Sequence, residues 1–271
     1  MRTDLLWRSV RERTAWLAVC ACAAAVPGQA AAQEGRPGAG AQAGWSVQLG
    51  GGFITRPDYT GSDDYETDPV PLIRISHPSG FFVRYPQGIG YELIQRGNVT
   101  AGAAVSYGGG RDNDGDLALL EEVDAGALGN LFVEYQLGPV TVGAMFSAPL
   151  SGDTEGSQVS LGAGYRSALT RKLFYTVGTR LQWNSDGWND SLFSLSPGEA
   201  ARLGVTPYSA ASGLSEASLG GTLTYTLSGS WSLTAVGGVS RLLGDPADNP
   251  IVADLGDATQ LTGALLLGYG F

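Results

Sequence analysis

From Trp45 to Phe271 large apolar residues recur at every second position, in segments of about ten residues separated by Gly, Pro, Asn, Asp and Ser. The clearest segment sets Leu173, Tyr175, Val177, Thr179, Leu181 and Trp183 on one face against Thr176, Gly178, Arg180 and Gln182 on the other, with only Phe174 out of pattern. Leu219, Leu223, Tyr225 and Leu227 oppose Gly220, Thr222, Thr224 and Thr226 in the same way, and Val99 to Tyr107 repeats the division. A water-soluble sandwich would turn its large side chains inward and present Lys and Glu outward. Here the polar face is mostly Gly, Ser, Thr and Gln, so the two faces fit lipid on one side and a narrow lumen on the other. The expected fold is all-β: a transmembrane, antiparallel, up-and-down β-barrel.

Connection lengths carry an independent signal, because outer-membrane barrels alternate short periplasmic turns with long external loops. Short turns fall near Gly138-Pro139, at 168–172 and at 228–230. Long polar stretches fall at 55–68, 110–127, 151–157, 185–213 and 244–257. With both chain ends periplasmic, this predicts strands at 98–109, 128–137, 140–148, 158–167, 173–184, 214–227, 231–243 and 258–271. A first strand over 45–54 then requires either three strands before Val99, near 70–76, 80–86 and 87–94, or one. The first choice gives about twelve strands, with a tight outward turn at Pro86 and Gly88, and the second gives ten. Aromatics at strand ends (Trp45, Tyr107, Tyr135, Tyr165, Trp183, Trp231, Tyr269 and Phe271) are placed for the two interfacial girdles.

Arg2, Arg8, Arg11 and Arg13 precede an uncharged run from Ala15 to Val26 and small residues at Ala30 to Ala32, the pattern of a secretory signal peptide cut near Ala32, with Ala43 as the alternative. The expected division is signal peptide 1–32, a flexible segment 33–44 and the barrel 45–271. The apolar run is too short for a membrane-spanning helix. Cys20 and Cys22 both lie in the segment to be removed, so the mature chain would have no disulfide or thiolate ligand. Acylation of Cys22 is the disfavoured alternative. Cleavage leaves 12 basic and 24 acidic side chains. That balance argues against nucleic acid, whose phosphates are bound by clustered Lys and Arg.

His77, the only histidine, lies in Ser76-His77-Pro78-Ser79-Gly80, which reads as a periplasmic turn; one histidine excludes a histidine-built metal site. Asp112-Asn113-Asp114-Gly115-Asp116 resembles a calcium loop but has Leu117 and Val123 where that motif needs Gly and Glu. A solvated acidic external loop built on Asp112, Asp114 and Asp116 is expected instead. The pairs Asp63-Asp64 and Glu121-Glu122 are likewise expected in solvent. Arg74, Arg84, Arg166 and Arg180 fall inside strands, where a lipid-facing charge costs about 2–4 kcal/mol, so Arg180 should face the lumen, lining it or pairing with Glu134. No catalytic residue and no cofactor are expected.

Arg56-Pro57-Asp58-Tyr59-Thr60-Gly61-Ser62-Asp63-Asp64-Tyr65, followed by Pro69-Val70-Pro71-Leu72, resembles the first external loop and second strand of the MipA/OmpV family. Asn249-Pro250-Ile251-Val252-Ala253-Asp254 through Gly268-Tyr269-Gly270-Phe271 is similar to its last loop and closing strand. Pro57, Tyr59, Gly61 and Ser62 carry the loop motif, and Tyr269 and Phe271 the C-terminal assembly signal. The Gly before the final aromatic departs from the family's bulkier residue, which bears on assembly efficiency. The resemblance implies the outer membrane, contact with its lipid and lipopolysaccharide, and a scaffold role joining a periplasmic murein hydrolase to a murein synthase. Other members are porin-like or adhesive. A small-solute or cation channel is the rival reading, motivated by the polar lumen face and the acidic surplus.

Overall fold

Alternation at a two-residue period produces the expected wall. A computed structural model describes residues 44–113 and 115–271; the segment expected to be a signal peptide, most of the 33–44 segment and Asp114 lie outside the described residues. Twelve antiparallel strands close into one barrel: β1 (Ser46–Pro57), β2 (Tyr65–Ser76), β3 (Phe81–Arg84), β4 (Gly88–Arg96), β5 (Val99–Gly108), β6 (Gly126–Leu137), β7 (Val140–Pro149), β8 (Gln158–Ala168), β9 (Leu173–Asn184), β10 (Gly213–Ser228), β11 (Trp231–Leu242) and β12 (Thr259–Gly270). The strand count is twelve, so the ten-strand alternative falls. Two bounds move. β1 runs on to Pro57 and β2 starts at Tyr65, which shortens the expected 55–68 loop to the residues between them. Arg56 explains the extension, because its Nη2 reaches Glu66 at 2.7 Å and Asp68 at 2.9 Å across the β1–β2 ladder.

The two faces are inverted relative to a soluble protein. Phe53, Leu131, Leu161, Leu219, Leu261 and Leu265 stand outward and exposed, whereas Asn130, Ser147, Ser160, Thr176, Ser240, Gln260 and Thr262 are buried. Each exposed leucine or phenylalanine forgoes about 2 kcal/mol in water that a hydrocarbon surround restores. The girdle aromatics face out at both rims, and at the turn side Trp231, Tyr269 and Phe271 stack edge to face at 5.0 and 4.9 Å. Phe271 N–H donates to Val47 O at 2.9 Å, which pins the chain end to the first strand.

The β1–β12 seam that closes the barrel is tightly spaced. A side chain on Gly50 or Gly52 would strike the backbone carbonyl of Leu267 or Leu265, so the two strands coil past one another at a spacing only glycine permits. Across the same seam Gln48 Nε2 donates to Ser232 Oγ at 3.0 Å, bridging β1 to β11 over Gly268.

Candidate functional site

The long loops do not stay in solvent. Four of them meet over the mouth, where Tyr59, Leu117, Leu120, Leu195 and Ile251 form a buried apolar cluster flanked by Leu203, Val205 and Tyr208. Tyr59 comes from the β1–β2 loop, Leu117 and Leu120 from β5–β6, Leu195 from β9–β10 and Ile251 from β11–β12. Burying four loops against one another forms a roof.

Short helices supply its rafters: α1 (Asp186–Phe193), α2 (Pro197–Leu203), α3 (Asp245–Asp248) and α4 (Pro250–Leu255). α2 has a complete capping box, Ser196 receiving the Glu199 N–H while the Glu199 carboxylate takes the Ser196 N–H at 2.9 Å. The Glu199 carboxylate also accepts the Glu121 N–H at 3.1 Å and lies 3.6 Å from Arg111 Nη2. Burial pushes its pKa up, but the bonds from Ser196 and Glu121 and the nearby Arg111 pull harder, and it settles below the ordinary glutamate value. Arg111 Nη1 donates to Leu192 O at 2.9 Å and Arg202 Nε to Leu119 O at 2.8 Å, tying the β5–β6 loop to the β9–β10 loop. Buried amides finish the joint: Asn184 donates to Asn189 at 2.8 Å, Asn189 to Ala211 O at 2.6 Å, and Asn249 to Phe193 O.

The family-like segments meet inside this roof. Gly61 adopts φ +99°, and a Val252 methyl fills the space a side chain there would need. Asp257 N–H donates to Gly61 O at 2.9 Å, Ser62 is buried with its N–H on Tyr59 O at 3.0 Å, and Gln260 Nε2 lies 3.5 Å from Tyr59 O. Pro57 ends β1. Ser62 braces the turn up to Asp64, while Tyr59 and Gly61 fasten the first loop to the last one. A pocket of about 700 Å³, its open mouth included, remains between them, walled by Tyr59, Leu117, Phe193 and Ile251 with Arg56 and Arg111 at its polar side.

Asp112 leads into a turn of 3-10 helix, Gly115–Leu117, that lowers Leu117 and Leu120 into the cluster. The leucines that follow Asp112 thus anchor the β5–β6 loop in the roof. Asp63, Asp64, Glu121 and Glu122 are exposed, as expected. Among the described residues no group of three or more His, Cys, Asp or Glu side chains is placed to hold a metal.

Below the roof, Glu134 on β6 and Arg180 on β9 occupy one register row, separated by Gly143 on β7 and Gly162 on β8. The buried Glu134 leans over Gly143, its Cγ 3.4 Å from where a Cβ would stand. Its charged neighbours also include Arg84 and Glu92, themselves joined at 2.7 Å. Arg84 lies 4.2 Å above the Phe82 ring, and Phe82 packs edge to face on Phe132 at 6.0 Å, with Met145 beside them. These large side chains crowd the lumen. Phe132 carries a sequence signal, a bulky residue in the small-residue register of β6; Arg84–Glu92 had none, because its two partners belong to different strands.

At the turn side His77 Nδ1 lies 2.8 Å from Ser79 Oγ and accepts the Ser79 N–H at 3.1 Å, while Trp45 packs on the imidazole at 4.7 Å. These are turn-stabilising contacts.

A family model described as MltA-interacting protein MipA matches residues 49–271. Comparison with curated proteins finds no match. Among solved structures, an outer membrane channel from Pseudomonas putida F1 is 15% identical over 84% of this chain and 96% of its own, with a TM-score of 0.41. OmpT of Vibrio cholerae is 8% identical over 84% and 97%, with a TM-score of 0.37. The outer membrane protein OprD of Pseudomonas aeruginosa is 13% identical over 85% and 66%, with a TM-score of 0.38. The family match runs from within β1 through the end of β12, and the chain belongs to the MipA family, as an outer-membrane β-barrel.

Proposed function

We propose that this barrel is a scaffold, holding murein-remodelling enzymes at the periplasmic end of the wall. The family's description as an MltA-interacting protein carries the reading. The geometry supports it in one respect: the mouth is crossed by a packed roof, and the opposite rim groups Trp45, His77 and Phe81, with Trp45 4.7 Å from His77 and 5.9 Å from Phe81. Of the three only Trp45 is exposed, and a tryptophan held in place by packed neighbours is the kind of anchor favoured at interfaces.

The full-length protein, tagged and solubilised from outer membranes in mild detergent, should recover a murein hydrolase or synthase, and Trp45→Ala with Phe81→Ala should lower that recovery several-fold. A clean recovery of the barrel without either enzyme removes the reading.

A small-solute channel is the second reading, favoured by the Ser, Thr and Gly lining of the lumen. Planar-bilayer recording separates the two, since stable unitary conductance supports the channel and silence counts against it.

A further inference from the structure

The barrel wall is stepped between β2 and β4. β3 has four residues, and its ladder with β2 holds only Arg74↔Arg84, Ile75↔Val83 and Ser76↔Phe82, closed by Tyr85 N–H on Ile73 O at 3.0 Å and His77 N–H on Phe81 O at 2.9 Å. On its other side β3 pairs with the outer end of β4, Gly88 to Tyr91. The upper part of β2, residues 65–72, therefore has β1 along one edge and, among the described residues, no strand along the other. The turn over residues 85–87 forms the sill of this gap.

The residues on that edge suit an edge that stays unpaired. Ile73 and His77 turn their peptide groups toward β3, and backbone direction alternates along a strand, so 65, 67, 69 and 71 face the gap. Two of these four are Pro69 and Pro71, which have no N–H to leave unsatisfied in lipid and which block the addition of a further strand. An edge kept for a partner strand would retain its donors. Side-chain alternation puts Val70 and Leu72 on the lumen side, where Leu72 Cδ2 lies 2.7 Å from the place a Gly268 Cβ would take. Directly above, the roof covers the axial route.

We propose that this gap is a lateral portal, through which the acyl chain of an amphipathic molecule passes between the lumen and the loop-side half of the bilayer. β3 and β4 both end at that sill, so above it two strand positions between β2 and β5 hold no strand among the described residues, about 10 Å at the ordinary strand spacing and wide enough for an acyl chain. A bilayer-soluble chain is also the kind of ligand for which a hole in a lipid-facing wall is a route. The inference does not rest on the scaffold reading.

The test places a photoreactive benzophenone side chain at Val70, with Leu72 as a second site and Thr222 on the far lumen wall as control. The full chain is reconstituted in phosphatidylcholine vesicles, with and without added palmitic acid, and folding is checked by heat-modifiable migration. Acyl adducts at Val70 or Leu72 at least fivefold above Thr222 are expected. Adducts in both preparations assign the chain to bilayer lipid, and adducts only with palmitic acid assign it to a free fatty acid. No adducts at either site, or equal labelling at Thr222, overturns the portal. The unmodified protein gives a separate reading by hydrogen exchange: the gap-facing Thr67 N–H should exchange at least tenfold faster than the β1-facing Val70 N–H. Equal protection of the two overturns the proposal even if the labelled variants fail to fold.

Discussion

Two stretches of the same wall solve one problem differently. From β9 to β12 each strand meets its neighbour in a ladder of eleven or more residue pairs, whereas β2 and β3 share three. In a bilayer every unpaired peptide group costs several kcal/mol, so the tall ladders satisfy their backbone by pairing, whereas the stepped section removes two of the four gap-facing donors with Pro69 and Pro71. Strand number alone therefore does not describe this wall. The difference between its regular and stepped sides can be broken or sharpened by substitution.

The largest expected effect lies at the seam that ties the stepped side to the regular one. Gly52→Val drives a side chain into the Leu265 carbonyl and should cut the yield of folded, heat-modifiable barrel at least tenfold, whereas Gly237→Val, on a β11 position with open space around it, should fold normally. Equal yields would show that the seam is looser than its geometry.

Next comes Arg56, which holds the upper part of β2 to its one strand neighbour. Arg56→Ala strands Glu66 and Asp68 and should cost about 2 kcal/mol in urea unfolding from vesicles, reduced from a fully buried pair because both acids are part exposed. Arg241→Ala in the regular wall loses one exposed bond to Thr259 and should change stability by less than about 0.5 kcal/mol. Similar costs at the two positions would erase the contrast.

The smallest effect belongs to the roof. Glu199 has its pKa held below the ordinary value in the folded state, so its contribution is present above the unfolded glutamate value of 4.5 and is lost as pH falls through the lower, folded one. Protease cleavage of the 185–212 segment should therefore speed up in acid. Glu199→Gln should flatten that dependence and cost about 1 kcal/mol through the weakened capping box. An unchanged acid profile in the variant would assign the effect to other groups.

How far the sequence foretold this molecule follows from its period. Leu173 to Trp183 and Leu261 to Phe271 announce their strands because lipid and lumen demand opposite chemistry on alternate residues. The same rule assigns Arg180 to the lumen side, lining it or pairing with Glu134. β3 was foreseen as a strand from 80 to 86, but alternation carries no information about where a ladder stops, so the step was hidden. The roof was hidden for another reason: Tyr59, the pair Leu117 and Leu120, Leu195 and Ile251 come from four separate loops, and a cluster assembled that way has no period to detect. Arg56 fell within the polar 55–68 stretch expected as a loop; the ion pairs to Glu66 and Asp68 carry the strand past that point.

The contact of Gly61 with Val252 joins regions 191 positions apart in the chain, by the difference of their numbers. That clasp needs the first loop and the last one together, so the outer surface takes its mature shape only once both ends of the wall are in place. Resistance of the surface to added protease thereby reports that the ring has shut, and a chain stalled one hairpin short would display an open crown to whatever surrounds the cell.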